Sequence, residues 1–164
     1  MKIVIPDDYQ DCVRHLHCFS KLNGHEVIIF NDTVHALEDK VRRFHEAQAI
    51  VLTRERTVID RQLLERLPNL KVISQTGKMA LHVDLKACQE MGIIVMDGHG
   101  TGSATAELNV LLTLAALRNF VDEVNRLQDG NWQGSVGRQL AGKRLGIYGY
   151  GRIGKQLCQI GKVF

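Results

Sequence analysis

Gly149, Gly151 and Gly154 have the clearest chemical spacing in the chain, within GIYGYGRIGKQ at 146–156. A Gly-x-Gly-x-x-Gly run that follows a strand and opens a helix is built to hold the pyrophosphate of a dinucleotide. Gly149 would allow the tight turn, Gly151 would let the pyrophosphate approach the backbone, and Gly154 would let the helix pack close to the strand. Amides around Arg152 and Ile153, at the helix N-terminus, would hold the phosphates, with Tyr150 in the turn between the first two glycines. The bland alternative is a glycine-rich strand-to-helix turn with no ligand. A complete site also needs an acidic residue about 20 positions on, at the end of the next strand, to take the adenine ribose. The sequence stops at Phe164 before that strand, which leaves NAD against NADP open.

Elements that could position such chemistry are legible upstream. Short apolar runs rich in β-branched residues, KIVIP (2–6), EVIIF (26–30), AIVLT (49–53), KVIS (71–74) and IIVM (93–96), read as buried parallel strands. Between them the apolar spacing turns helical. Cys12, Leu16 and Phe19 share one face, as do Leu37, Val41 and Phe44, and Leu63, Leu64 and Leu67 make a shorter stripe. A helix at about 84–91 carries Leu85 and Cys88. This βαβαβαβαβ order predicts an α/β fold, a flavodoxin-like doubly wound parallel sheet.

A glycine-rich loop at 96–103 leads into ATAELNVLLTLAALRNF, which is apolar on nearly every side and predicts a long helix buried between domains or subunits. Residues 121–141 read as a helical arm and connector, with Trp132 as a packing anchor. KRLGIYGYGRIGKQLCQIGKVF then restarts the α/β pattern, with a strand at about 143–148 and a helix from Arg152. The expected domains are therefore 1–99, an α/β domain; 100–141, an interdomain helix and dimerisation arm; and 142–164, the first strand and helix of a cut nucleotide-binding domain.

Composition narrows the function classes. The 164 residues are 45% hydrophobic and 24% charged, as in a globular protein, and the net charge of +3 is spread without a basic face. Nucleic-acid binding is not expected. No run approaches the roughly 18 apolar residues of a membrane span, and no signal peptide is evident, so a cytoplasmic location is expected. Cys12, Cys18, Cys88 and Cys158 show no paired spacing and read as buried reduced thiols. His15 and His17, two apart, lie on different faces of a helix, so no metal site is expected there.

Four stretches, in this order, resemble the D-isomer-specific 2-hydroxyacid dehydrogenases, which include phosphoglycerate dehydrogenases and glyoxylate or hydroxypyruvate reductases. They are LTRERT, ISQTGKMALHVDL, SATAELNVLLTLAALRN with NWQG behind it, and GKRLGIYGYGRIG. The resemblance runs over essentially the whole chain. It implies a substrate-binding domain, then a long helix crossing to a Rossmann cofactor domain, and hence that the sequence is the front half of such an enzyme.

The resemblance also implies roles. Arg54 falls where the family has an arginine near the acidic end of the substrate; otherwise it reads as a solvated charge at a strand end. Thr76, Gly77 and Lys78 fall on the loop whose amides hold the substrate carboxylate, and Lys78 is either an added cation or a plain loop lysine. Thr105 matches a position near the nicotinamide of NAD or NADP, while Glu107 suits the helix start. Met79 stands where the family commonly has glycine, Leu81 and His82 where it has an acidic residue or Asn, and GHGTG replaces its usual Asn and Pro. His82 and His99 read as loop histidines. The implied reaction is reversible hydride transfer between a 2-hydroxy acid and a 2-oxo acid. The family's catalytic Arg, Glu and His would lie beyond Phe164, so no catalytic residue is assigned and this chain alone is expected to lack turnover. A homodimer is expected. The alternative is a non-catalytic module that binds a small acid or dimerises.

Overall fold

The computed structural model describes residues 1–164, which divide into two compact units, Met1–Gly100 and Thr101–Phe164. In the first, five strands form where the β-branched runs predict them: β1 (Lys2–Ile5), β2 (Glu26–Ile29), β3 (Ala49–Thr53), β4 (Val72–Thr76) and β5 (Ile94–Asp97). All neighbours are parallel and the order is β2-β1-β3-β4-β5, that of a flavodoxin-like sheet.

Alternation along the strands divides the core between the two faces of the sheet. Val4, Ile50, Leu52 and Ile73 point to one face, under α1 (Leu37–Phe44), α2 (Arg61–Leu64) and α3 (Leu85–Glu90). Phe44, Leu63 and Cys88 close that layer with almost no exposed surface. Asp60 and Asp84 cap α2 and α3, each carboxylate accepting from a first-turn amide at 2.9 Å. Ile3, Ile5 and Ala49 face the other way, against Val13 and Leu22.

That second face departs from the sequence expectation. Residues 12–19 do not form an α-helix with a buried stripe; two 3-10 segments, Val13–His15 and His17–Leu22, replace it. Cys12 and Leu16 are exposed and Phe19 is half-buried, because three residues per turn rotate the i, i+4 stripe off the sheet. Cys12 and Cys18 are therefore exposed and Cys158 half-buried, so of the four thiols only Cys88 is buried. On α3, Leu85 is half-exposed beside buried Cys88.

In the second unit, α4 (Ser103–Leu117) ends at Arg118, and Asn119 in the left-handed region (φ 51°) turns the chain into α5 (Phe120–Gln128). Ala106 is the one fully buried residue of α4. The expected packing around its circumference is thus not made within this unit. Trp132 is 80% exposed and anchors nothing here. The strand expected at 143–148 is not formed: these residues make no ladder pairing, since the unit supplies no neighbouring strand to take their backbone groups. The helix expected from Arg152 is α6 (Arg152–Gly161), which packs on α4.

Candidate functional site

In an open parallel sheet, ligands sit outside the C-terminal strand ends, and there Arg54, Thr76, Gly77 and Lys78 come together. Arg54, just past β3, is held at φ 58° with its amide donating to Thr76 Oγ1 at 3.1 Å. Gly77 follows β4 at φ 91°, and a Cβ there would lie 3.0 Å from Arg54 Nη1. The guanidinium therefore lies over the Gly77 backbone. Thr76 acts through its hydroxyl as a brace for Arg54.

The loop is stitched to the end of β5. Gly98 donates its amide to the Gly77 carbonyl at 2.9 Å, and Asp97 Oδ2 accepts from the Met79 amide at 3.1 Å. The amides of Gly77 and Lys78 make no hydrogen bond within the chain. Two free N–H groups beside a guanidinium, with the exposed ammonium of Lys78 on the same loop, can hold a carboxylate by charge-assisted hydrogen bonds. Met79, in place of the expected glycine, packs its side chain against the core. His99 is exposed, and the half-buried His82 donates from Nε2 to Gln75 Oε1 at 3.2 Å.

Sequence reasoning missed a polar network at the end of β1, beside the switch in strand order. Asp7 is 1% exposed at φ 63°, and its carboxylate accepts from the hydroxyls of Thr33 and Thr57. Arg56 donates to the Asp7 carbonyl and stacks 4.4 Å over the Tyr9 ring. Asp8, equally buried, accepts from the amides of Cys12 at 3.1 Å and Val13 at 2.9 Å. Burial alone would raise the Asp8 pKa, but these amides and the Cys12 thiol outweigh it and hold the carboxyl below its usual range. The adjacent PDDY and TRERT carry the right residue types, yet they lie far apart in sequence, and only the sheet order joins them.

The second unit contains the glycine turn. Gly149 has φ 93° and open space where a Cβ would stand, and the space over Gly151 is also open. At Gly154 a Cβ would fall 2.3 Å from the Gly149 carbonyl, so close packing of helix on turn requires glycine. Gly151 begins α6 with no side-chain cap, which leaves the first amides, those of Arg152 and Ile153 among them, to an anion. Tyr150, between the two glycines, is exposed, and the neighbouring Cys158 thiol raises the pKa of its hydroxyl. Gly102, at the start of α4, approaches the side chains of Ile153 and Arg152, while Thr101 accepts from Gln156 at 2.9 Å. Thr105, exposed on the first turn of α4, thus shares a unit with the fingerprint. Open at two glycines, closed at the third and uncapped on the helix, the turn fits a pyrophosphate.

A flavodoxin-like sheet with free amides and an arginine at its C-terminal rim, followed by a dinucleotide-type glycine turn, defines an α/β protein of the doubly wound class. Residues 3–129 match the D-isomer specific 2-hydroxyacid dehydrogenase catalytic domain, and residues 110–164 match the NAD binding domain of the same family. The chain belongs to the D-isomer specific 2-hydroxyacid dehydrogenase family. It is similar to D-3-phosphoglycerate dehydrogenase of Methanocaldococcus jannaschii, 35% identical over 130 residues, covering 77% of this chain and 25% of that protein. Glyoxylate reductase of Thermococcus litoralis is 36% identical over 138 residues, covering 78% of this chain and 40% of that protein. A solved structure of phosphoglycerate oxidoreductase from Vibrio cholerae is 46% identical with a TM-score of 0.93, covering 99% of this chain and 53% of that one. The chain spans from a quarter to about half the length of these relatives. No helix is long and apolar enough to cross a membrane.

Proposed function

We propose that this chain is the substrate-binding part, with the opening of the cofactor-binding part, of an NAD(P)-dependent oxidoreductase acting on the CH–OH group of a 2-hydroxy acid. The observation that carries this reading is the pair of free amides at Gly77 and Lys78, with the Arg54 guanidinium over Gly77. These groups would take the substrate carboxylate and leave C2 facing outward from the sheet rim. The nicotinamide, when bound, supplies or accepts the hydride at C2. Gly149, Gly151, Gly154 and the amides of Arg152 and Ile153 would hold its pyrophosphate, with Tyr150 in the turn beside it and Thr105 towards the nicotinamide end. Among the relatives, phosphoglycerate and glyoxylate name the substrate range, and small 2-oxo acids are the class assigned here. No residue of the chain is assigned to move the hydroxyl proton, so the 164 residues alone bind without turning over.

Titration of the 15N-labelled chain with oxalate, a non-reacting dicarboxylate mimic of a 2-oxo acid, tests the cradle. Saturating shifts at the Gly77 and Lys78 amides are expected; shifts confined to other regions, or none, refute the assignment. Oxidation of NADH by the 164-residue chain in the presence of glyoxylate would contradict the division of roles.

A second reading, as a non-catalytic small-acid-binding or dimerisation module, draws on the exposed leucines of α4. Association as a homodimer and a cytoplasmic location are part of both readings.

A further inference from the structure

Gln75 is the last buried residue of β4, 2% exposed, and its Nε2 has no hydrogen-bond partner. Its Oε1 accepts from His82 Nε2 at 3.2 Å, and with that nitrogen donating, His82 Nδ1 is left as an acceptor, also buried and unpartnered. One bond is thus made while a donor and an acceptor on the same two side chains go unsatisfied. Such pairs cost stability, and two apolar side chains of similar shape would be as stable or more so.

The position of the pair suggests what that cost supports. Gln75 and His82 are the two ends of the loop that carries Thr76, Gly77 and Lys78. The main chain of His82 is already fixed, its carbonyl accepting from the Ile59 amide at 2.8 Å. On the other flank, Asp97 and Gly98 hold Met79 and Gly77. The Gln75 side chain, hydrogen-bonded to that fixed point, ties the end of β4 to the far end of the loop across its base.

We infer that Gln75 and His82 form a positioning latch beneath the loop, retained at a cost in stability because it sets the direction of the Gly77 and Lys78 amides. The inference rests on the reading of those amides as a carboxylate cradle. Neither side chain touches the carboxylate; both act through the loop.

Four forms of the whole 164-residue chain test the latch: unaltered, the double variant Gln75→Leu/His82→Leu, His82→Gln and His82→Asn. Glutamine places its amide nitrogen near the reach of Nε2 and keeps the bond to Gln75, whereas asparagine reaches only as far as Nδ1 and loses it. The double variant is expected to unfold at the same or higher urea concentration, with faster motion at the Gly77 and Lys78 amides by relaxation dispersion. Its oxalate affinity should fall about three- to tenfold, the loss of one hydrogen bond's worth of order. His82→Gln should keep both loop motion and affinity, and His82→Asn should lose both. Unchanged loop motion in the double variant and in His82→Asn overturns the latch, whatever their stability. If the unaltered chain takes up no oxalate, the cradle reading fails on its own, and loop motion still decides the latch.

Discussion

Arg54 lies over Gly77 at the rim of the sheet, its Nη1 3.0 Å from where a Gly77 Cβ would stand. The contact needs both residues in unusual backbone states, φ 58° at Arg54 and φ 91° at Gly77. Glycine adopts such a state freely and alanine does not. Gly77→Ala is therefore expected to lower the unfolding free energy by roughly 1–2 kcal/mol and to push the guanidinium aside. Urea unfolding reads the first effect and oxalate titration the second, with affinity falling at least tenfold.

Arg54→Gly separates strain from charge. Relief of the left-handed strain, about 1 kcal/mol, is set against the added entropy of glycine in the unfolded chain. Stability should change by less than about 0.5 kcal/mol while oxalate affinity falls about tenfold or more. A variant that binds oxalate as the unaltered chain does would show that the amides suffice.

Gly154→Ala tests the turn by sterics. Its Cβ would fall 2.3 Å from the Gly149 carbonyl, a backbone atom that cannot yield as the end of a flexible side chain would. The expected result is displacement of α6 from the turn, seen as loss of native amide shifts over 149–156, with the 1–100 resonances unchanged. Gly151→Ala, in open space, should leave those shifts in place.

Much of this was legible because it is written locally. The runs KIVI and AIVLT become strands at the predicted places, since β-branched residues buried on both faces suit a parallel sheet. The fingerprint glycines are likewise a local pattern. What escaped depends on contacts across the chain. Residues 12–19 have helical spacing, but Asp8 takes the amides of Cys12 and Val13 and starts a tighter turn. The strand at 143–148 needs a neighbour that residue spacing cannot reveal. Asp7 meets Thr57 across 50 positions, and the Gln75–His82 bond carries no sequence signature.

Asp8 predicts the acid limb of stability. Its folded-state pKa lies below the ordinary value, so it contributes stability that is complete above the unfolded value, near ~4, and lost as pH falls through the folded value. Asp8→Asn should cost about 1–3 kcal/mol at neutral pH, through weakened acceptance from Val13 and Cys12. The difference between the two proteins should close as pH falls through the lowered pKa of the native carboxyl and it takes up its proton. Urea midpoints measured from pH 7 to pH 2 check both limbs; a constant gap across that range would mean that Asp8 does not titrate with unfolding.

Leu108, Leu111 and Leu112 of α4 are each more than half exposed, on a helix with a single buried residue. Leucines so placed stabilise nothing in an isolated unit and drive association once a second apolar surface meets them. Sedimentation velocity should therefore show concentration-dependent self-association. Leu111→Glu, at a side chain 61% exposed, should shift the species to monomer and leave the thermal unfolding of the monomer within about 0.5 kcal/mol of the unaltered chain. A monomer at all concentrations before substitution would remove α4 as a dimer surface, and an unchanged association after it would place the interface elsewhere on the chain.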